Sequence, residues 1–261
     1  MSLDTDRLSS GAAGGAVRPM AADAYEAMAR VERTQWWFRA KRHLVADALA
    51  RHQIASDKPI VDVGAGTGGL LHHLDGRGPI VGLELDPEAL TLARAAVPGV
   101  PLVQAVAERL PVRTGVAGAV TALDVLEHLD DDEAALRELS RVAGDGLLIL
   151  TVPAYAWAWS DHDVRLGHRR RYTRSSLLAV AERADLEVLR ITYFHSWLVP
   201  IAWLVRRTPI GRLLPGSAED ASFVNHRVNA FLGRVVGVER RVLHRFDLPI
   251  GLSILLVARR R

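Results

Sequence analysis

The segment Asp62-Val63-Gly64-Ala65-Gly66-Thr67-Gly68-Gly69 places an acid ahead of four glycines, just after a short apolar run and just before Leu70 and Leu71. Glycines suit a turn that must reach positive φ and let a ligand approach the backbone closely. Gly64, Gly66 and Gly69 satisfy the spacing G-x-G-x-x-G, and Glu84 closes the next apolar run eighteen residues beyond Gly66. A carboxylate at that position can accept both hydroxyls of a ribose. The chemistry implied is therefore binding of a ribose-bearing cofactor, with NAD and S-adenosylmethionine (SAM) both open. Asp62 stands where it can hold a cationic amino group and would repel a pyrophosphate.

Further along, Thr121 to Leu129 (TALDVLEHL) carries Asp124, Glu127 and His128. His128 is the candidate general base, because an imidazole titrates near neutral pH. The alternative, a histidine that only bonds to a backbone group, stands beside it. Asp130, Asp131 and Asp132 read as a helix N-terminus interacting with the macrodipole rather than as metal ligands. His72 and His73 fall on the first helix after the glycine turn, with no assigned role. Cysteine is absent, which excludes disulfides, thiolate metal sites and a cysteine nucleophile.

These residues need a scaffold that brings successive strand ends together. Pro59 to Val63, Pro79 to Leu85, Val100 to Val106, Gly118 to Leu123 and Gly146 to Val152 read as strands. Asp86-Pro87 opens a helix to about Ala96, and another runs from Asp130 to Ala143 with Ala135, Leu139 and Val142 on one face. Thr173 caps a helix over about 174–184, and strands follow at Leu186 to Tyr193 and Leu252 to Arg259. In the intervening insert, Val224, Val228, Phe231, Val235, Val238 and Val242 have the spacing of one amphipathic helix, which should pack that face on the domain or on a second subunit. The expected fold is α/β: a doubly wound, mostly parallel, seven-stranded Rossmann-like sheet with an N-terminal helical lid and a helical insert before the last strand. Residues 1–20 read as a disordered lead-in without the apolar run of a signal peptide. The rest reads as one domain over 21–261, divided into lid (21–55), cofactor core (56–193), insert (194–248) and terminal strand (249–261).

The ordered motifs from Pro59 to Pro153 resemble the class I SAM-dependent methyltransferases, in particular the small-molecule group similar to the ubiquinone-biosynthesis enzymes. The resemblance implies SAM as cofactor. It places Asp62 near the methionine end, Gly64, Ala65 and Gly66 under the cofactor, Glu84 on the ribose and Leu85 against one adenine face. Val106 stands where an aspartate is usual, so adenine would lean on main-chain groups near Ala107 and Glu108. Asp124 would face the methyl group. Some ubiquinone-type relatives have a Glu-x-x-Glu-His cluster associated with a divalent metal; here Asp124 replaces the first glutamate, and no metal is assigned.

Two flanking segments, Gln35 to Arg42 and Tyr155 to Arg174, could cover the acceptor, and the first, together with His168 to Tyr172, resembles a subgroup of bacterial methyltransferases. Arg39 or Arg42 could pair with the SAM carboxylate, and Arg39 is the residue assigned. Trp37, Trp157, His162, His168, Arg170 and Tyr172 are the candidate acceptor residues. An orienting protein suffices for much of the chemistry, because SAM carries its own activated methyl group.

The 261 residues include 33 basic and 30 acidic side chains, a formal charge of +3. That is too mild a balance for a nucleic-acid binder. The segment Tyr193 to Val205 is too short and interrupted to span a bilayer, while aromatic residues beside arginines in the insert leave peripheral membrane contact open. The function expected is SAM-dependent methyl transfer to a small-molecule or lipid-linked acceptor, with oxygen favoured, by a cytoplasmic monomer or homodimer. RNA methylation and SAM binding without methyl transfer are the alternatives.

Overall fold

In the computed structural model five parallel strands form most of one sheet: β1 (Ile60–Val63), β2 (Ile80–Glu84), β3 (Leu102–Gln104), β4 (Ala119–Leu123) and β5 (Leu147–Pro153). The structure describes residues 22–54, 57–207 and 225–261; the expected lead-in and Val224 lie outside them. Two further strands, β6 (Leu186–Phe194) and β7 (Ser253–Arg260), complete the order β3-β2-β1-β4-β5-β7-β6. β7 runs antiparallel to both its neighbours. Strand order reverses between β1 and β4, which opens a crevice at their carboxyl ends.

The unbroken apolar runs become strands because both faces of the sheet are covered. β1 and β2 are buried along their whole length. On one face, α5 (Asp132–Ala143) and α7 (Arg174–Arg183) pack Leu136, Leu139 and Leu177 against Val61, Leu148 and Leu256. On the other, α2 (Trp36–Arg51) and α3 (Gly69–Leu74) pack Leu44, Val45 and Leu71 against Ile149 and Leu255. The helix starts follow local chemistry: Asp86 accepts from Glu88 N at 2.8 Å ahead of α4 (Pro87–Ala96), and Asp131 accepts from Ala134 N at 2.8 Å at the start of α5. Thr173 likewise accepts from Ser176 N at 3.1 Å ahead of α7.

The lid begins with α1 (Ala22–Val31) and bends before α2. The bend is held by Arg42, whose guanidinium donates to the Glu32 and Arg33 carbonyls at 2.5 and 3.1 Å, satisfying groups left free at the end of α1. After β5 come a short α6 (Asp161–Arg165) and, beyond β6, α8 (Val199–Arg207) and the long α9 (His226–Leu243).

The insert helix forms, but the expected valine face is turned outward. Val228, Phe231, Val238 and Val242 are 41%, 59%, 56% and 39% exposed. Leu232, Val236 and Leu243 face the protein instead. Polar anchors select that face. Asn229 Oδ1 accepts from Trp36 N at 2.8 Å, its Nδ2 donates to the Thr34 carbonyl at 3.0 Å, and Arg240 donates twice to Asp47 at 2.6 and 2.5 Å. Glu239 accepts from the backbone N–H groups of His195 and Ser196 at 2.9 and 2.7 Å. Among the described residues no helix is long and apolar enough to cross a membrane.

Candidate functional site

The chain leaves β1 through Gly64, at φ 72°, and Gly66, at φ 54°. Besides its positive φ, Gly64 has no room for a side chain, since a Cβ there would meet Val125 Cγ2 at 2.4 Å. Gly64 N and Ala65 N donate to the Leu83 carbonyl at 2.8 and 3.0 Å, which ties the turn to the end of β2. The same strand end carries Glu84. Its carboxylate accepts from Gly66 N at 2.8 Å, Leu85 N at 2.7 Å and Asp86 N at 2.9 Å. Such charge-assisted bonds fix the carboxylate beside the turn.

Asp62 is buried in β1 and accepts from Thr121 Oγ1 at 2.6 Å. Burial pushes its pKa up to about 7, with the charges of Glu32 and Glu84 adding to the effect and the Thr121 bond opposing it. Glu32, at the bend of the lid, accepts from Thr67 Oγ1 across the glycine turn. A Cβ on Gly69 would lie 2.2 Å from that carboxyl group, so this glycine is what lets the lid sit down on the turn. Burial raises the Glu32 carboxyl, against the hydrogen bond from Thr67 and the charge of Arg42.

At the end of β4, Asp124 adopts φ 54° and accepts from Lys41 Nζ of α2 and from Thr151 Oγ1, the latter at 2.8 Å. Burial opposes ionisation there, but Lys41 outweighs it and holds the carboxyl below its ordinary range. The Lys41 ammonium also stands 5.9 and 5.3 Å from the ring centroids of Trp37 and Phe38.

Behind Asp124 lies a second cluster, built from the turn after β4 and the loop after β5. His168 Nδ1 is 2.8 Å from Asp163 Oδ1, and Asp163 also accepts from Arg171 Nε at 2.7 Å, Arg171 Nη2 at 2.9 Å and Ser160 N at 2.8 Å. Burial works against the charge on Asp163, yet His168 and Arg171 keep its carboxyl far below the usual range. The His168 ring meets His128 at 4.7 Å and 86°. His128 is pulled down to about 4 by burial and by neighbouring His168 and Arg169, so it is neutral at pH 7. Glu127 is fully buried, neither of its carboxylate oxygens has a hydrogen-bond partner, and burial together with Asp124 raises its carboxyl well above the ordinary value.

One cavity of about 790 Å³ joins these groups. Asp62, Gly64, Ala65, Gly66 and Glu84 line one end, with Leu85, Ala107 and Glu108 beside them. Asp124, His128, His162, His168 and Trp37 line its other parts. Four expected residues are elsewhere. Arg39 is exposed and faces a separate cleft between α2 and α9, and Arg42, which does reach the cavity, is spent on the lid bend. Trp157 stacks on Tyr155 at 5.7 Å, away from the cavity. Arg170 donates to the Leu129 and Asp130 carbonyls at 2.8 and 2.9 Å, and Tyr172 Oη donates to Asp132 at 2.7 Å, so both brace the start of α5.

Residue types alone did not single out Glu32, Lys41, Asp163 or Arg171. Lys41 carried a signal, being one of two lysines in an arginine-rich chain. Glu32 is brought in by a contact with Thr67, 35 residues away, and Asp163 and Arg171 by a loop whose arginines look alike in sequence.

Residues 61–150 match the family described as "Methyltransferase domain". Over 109 residues the chain is 31% identical to the ubiquinone biosynthesis O-methyltransferase of Chromobacterium violaceum, covering 38% of this chain and 46% of that protein. The chain therefore spans about half the length of this curated relative. Among solved structures, a Haloferax volcanii complex of the Trm112 methyltransferase activator with a methyltransferase matches with TM-score 0.59 and 21% identity, over 93% of this chain and 96% of that one. A Bacillus halodurans methyltransferase matches with TM-score 0.55 and 19% identity, over 82% and 97%. The phosphoethanolamine N-methyltransferase 2 of Haemonchus contortus, solved with SAM, matches with TM-score 0.53 and 13% identity, over 83% and 51%.

The sheet order with its antiparallel β7 is that of a Rossmann-like methyltransferase fold. Residues 61–150 carry a methyltransferase domain on this fold, which supports a class I SAM-dependent methyltransferase with S-adenosylmethionine as cofactor.

Proposed function

We propose that this protein transfers the methyl group of SAM to a hydroxyl of a small or lipid-linked acceptor. The observation that carries the reading is the continuity of the cavity, which runs from Glu84 past Asp124 to Ile201, Ala202 and Val205 of α8. In this reading Glu84 receives the ribose hydroxyls, Leu85, Ala107 and Glu108 border the adenine, and Asp62 attracts the cofactor's ammonium. The acceptor then occupies the remaining length, between Trp37 of the lid and His162 and His168 of the loop after β5.

Methyl transfer needs the acceptor oxygen aligned behind the sulfonium carbon and shielded from water. The lid, fastened at Glu32 and Lys41, supplies the cover. His128 is neutral at pH 7 and accepts a proton as the acceptor hydroxyl is methylated. An apolar tail fits the α8 end, where Ile201 and Trp203 are exposed, which supports a lipid-linked acceptor presented at a membrane surface. The similarity to an O-methyltransferase supports oxygen as the acceptor atom.

Calorimetry with SAM, S-adenosylhomocysteine and NAD, followed by detection of S-adenosylhomocysteine across a panel of hydroxylated acceptors with and without a prenyl or acyl tail, tests this. Binding of SAM with turnover of a hydroxylated acceptor, faster where it carries a tail, is the expected result. NAD bound in preference to SAM would overturn it.

A further inference from the structure

We infer that the cleft between α2 and α9 is a second binding site, separate from the main cavity, which holds a small ligand by a phosphate monoester group. The cleft has a volume of about 410 Å³, a size typical of small-molecule sites. Arg39 and His43 of α2, Arg240 and Arg241 of α9, and His244 just beyond it, line the cleft. No acidic residue does. Trp36 lines both this cleft and the main cavity, so α2 forms a wall of each.

The charges around the cleft suit an anion. Asp47 accepts from Arg240 Nε and Nη2 at 2.6 and 2.5 Å, which fixes that guanidinium and offsets one charge. The side chains of Arg39 and Arg241 make no ion pair among the described residues, whereas the exposed Arg137, Arg183 and Arg259 each have a carboxylate partner. Three guanidinium charges less the one on Asp47 leave a surplus of two. A phosphate monoester carries about −1.5 to −2 at pH 7, and guanidinium groups match its oxygens in pairs. His43 reports the same field: burial, then the charges of Arg240, Arg39 and Arg42, lower its pKa, with Asp47 opposing. Its neutral imidazole still has an N–H to donate to a phosphate oxygen.

An independent feature is the open side of the cleft. Gly233 and Gly237 lie one turn apart on α9 and line the cleft beside the arginines. Glycine is unfavourable inside a helix. A Cβ at either position would meet nothing within 4 Å, so no packed neighbour requires a glycine there. Larger side chains would stand in the cleft instead. The two glycines therefore keep free the space that the surplus charge surrounds. Soluble esters and lipid headgroups share the phosphate chemistry, and the experiment separates them. The site does not rest on the methyl-transfer reading, since phosphate uptake is measured without turnover.

Calorimetry on the full chain tests this with inorganic phosphate, glycerol phosphate, and phosphatidylcholine vesicles with and without phosphatidic acid, each with and without saturating S-adenosylhomocysteine. One phosphate group per chain is expected, bound equally in both conditions. Arg241→Gln should weaken it by about tenfold, the scale of a hydrogen bond to a charged group. Gly237→Leu fills the cleft with a strong helix former, so it should abolish phosphate binding without lowering the unfolding temperature. Binding of glycerol phosphate supports a soluble ester, and binding of phosphatidic acid vesicles alone supports a lipid headgroup. No binding of any phosphate probe, displacement of phosphate by S-adenosylhomocysteine, or unchanged affinity in a folded Gly237→Leu or Arg241→Gln variant overturns the proposal. Failure of the wild type to bind S-adenosylhomocysteine would count against the methyl-transfer reading alone.

Discussion

Lys41 of the lid donates to Asp124 at the end of β4, so one buried ion pair fastens the N-terminal helices to the strand end beside the cavity. Removing one member strands the other charge, which costs several kcal/mol in fully buried pairs. Asp124 keeps 28% side-chain exposure, which softens the penalty. Lys41→Met should therefore lose about 2 kcal/mol in urea unfolding. Lys41→Met combined with Asp124→Asn should recover most of it, because no unpaired charge then remains. A single variant as stable as the wild type would show that the pair does not hold the lid.

Glu84 is fixed by three backbone N–H groups, and this geometry gives the second prediction. Glu84→Ala should weaken SAM binding by about 10- to 100-fold, since hydrogen bonds to a charged group contribute roughly 1.5–3 kcal/mol. Part of the effect would come from the turn itself, as Gly66 N loses its partner. Comparing SAM with adenine alone separates the two, because adenine has no ribose and should bind the variant and the wild type alike.

The strands, the glycine turn and the cofactor acid were legible because each rests on a local pattern: unbroken apolar runs, glycines at fixed offsets, an acid ending the second run. Asp86, the run Asp130 to Asp132 and Thr173 were legible as helix starts for the same reason, though which of the three aspartates caps was not. The acceptor side was not. Arg170 and Arg171 are adjacent and identical in type, yet Arg171 reaches the cavity through Asp163 while Arg170 caps the turn before α5. Only the path of the loop separates them. The insert helix shows the same limit, because apolar spacing found the helix but polar anchors at Asn229, Glu239 and Arg240 decided which side faces inward.

That outward stripe yields a third prediction. Val238→Ser should change stability by less than about 0.5 kcal/mol, as surface substitutions do. Val236→Ala, on the buried side two residues away, should cost on the order of 1–2 kcal/mol in the same unfolding assay. The reverse ranking would mean that the valine face is covered in solution.

Asp62 predicts a pH dependence. Its carboxyl is raised by burial from 3.8 to about 7, so the folded chain holds this proton where the unfolded chain has lost it. Its contribution to stability is then fully present below about pH 3.8 and lost as pH rises through 7. Binding runs the other way. The SAM ammonium favours the ionised carboxylate, so affinity should climb by up to about tenfold per unit towards pH 7 and level off above it. Asp62→Asn should flatten both slopes, read by calorimetry and by unfolding across pH 5 to 8.

The last prediction concerns the basic run His168 to Tyr172, whose members divide between the cavity and the scaffold. Tyr172 Oη donates to Asp132 at 2.7 Å, and Arg170 Nη1 reaches the same carboxylate at 3.1 Å. Tyr172→Phe removes one donor from a carboxylate that keeps another, so it should cost about 1 kcal/mol in stability. It should leave SAM affinity and acceptor KM unchanged, because neither residue lines the cavity. Arg171→Met cuts the support behind Asp163 and His168, and should alter acceptor turnover as well as stability. If Tyr172→Phe raised KM while Arg171→Met did not, the loop would have to present the opposite face to the acceptor.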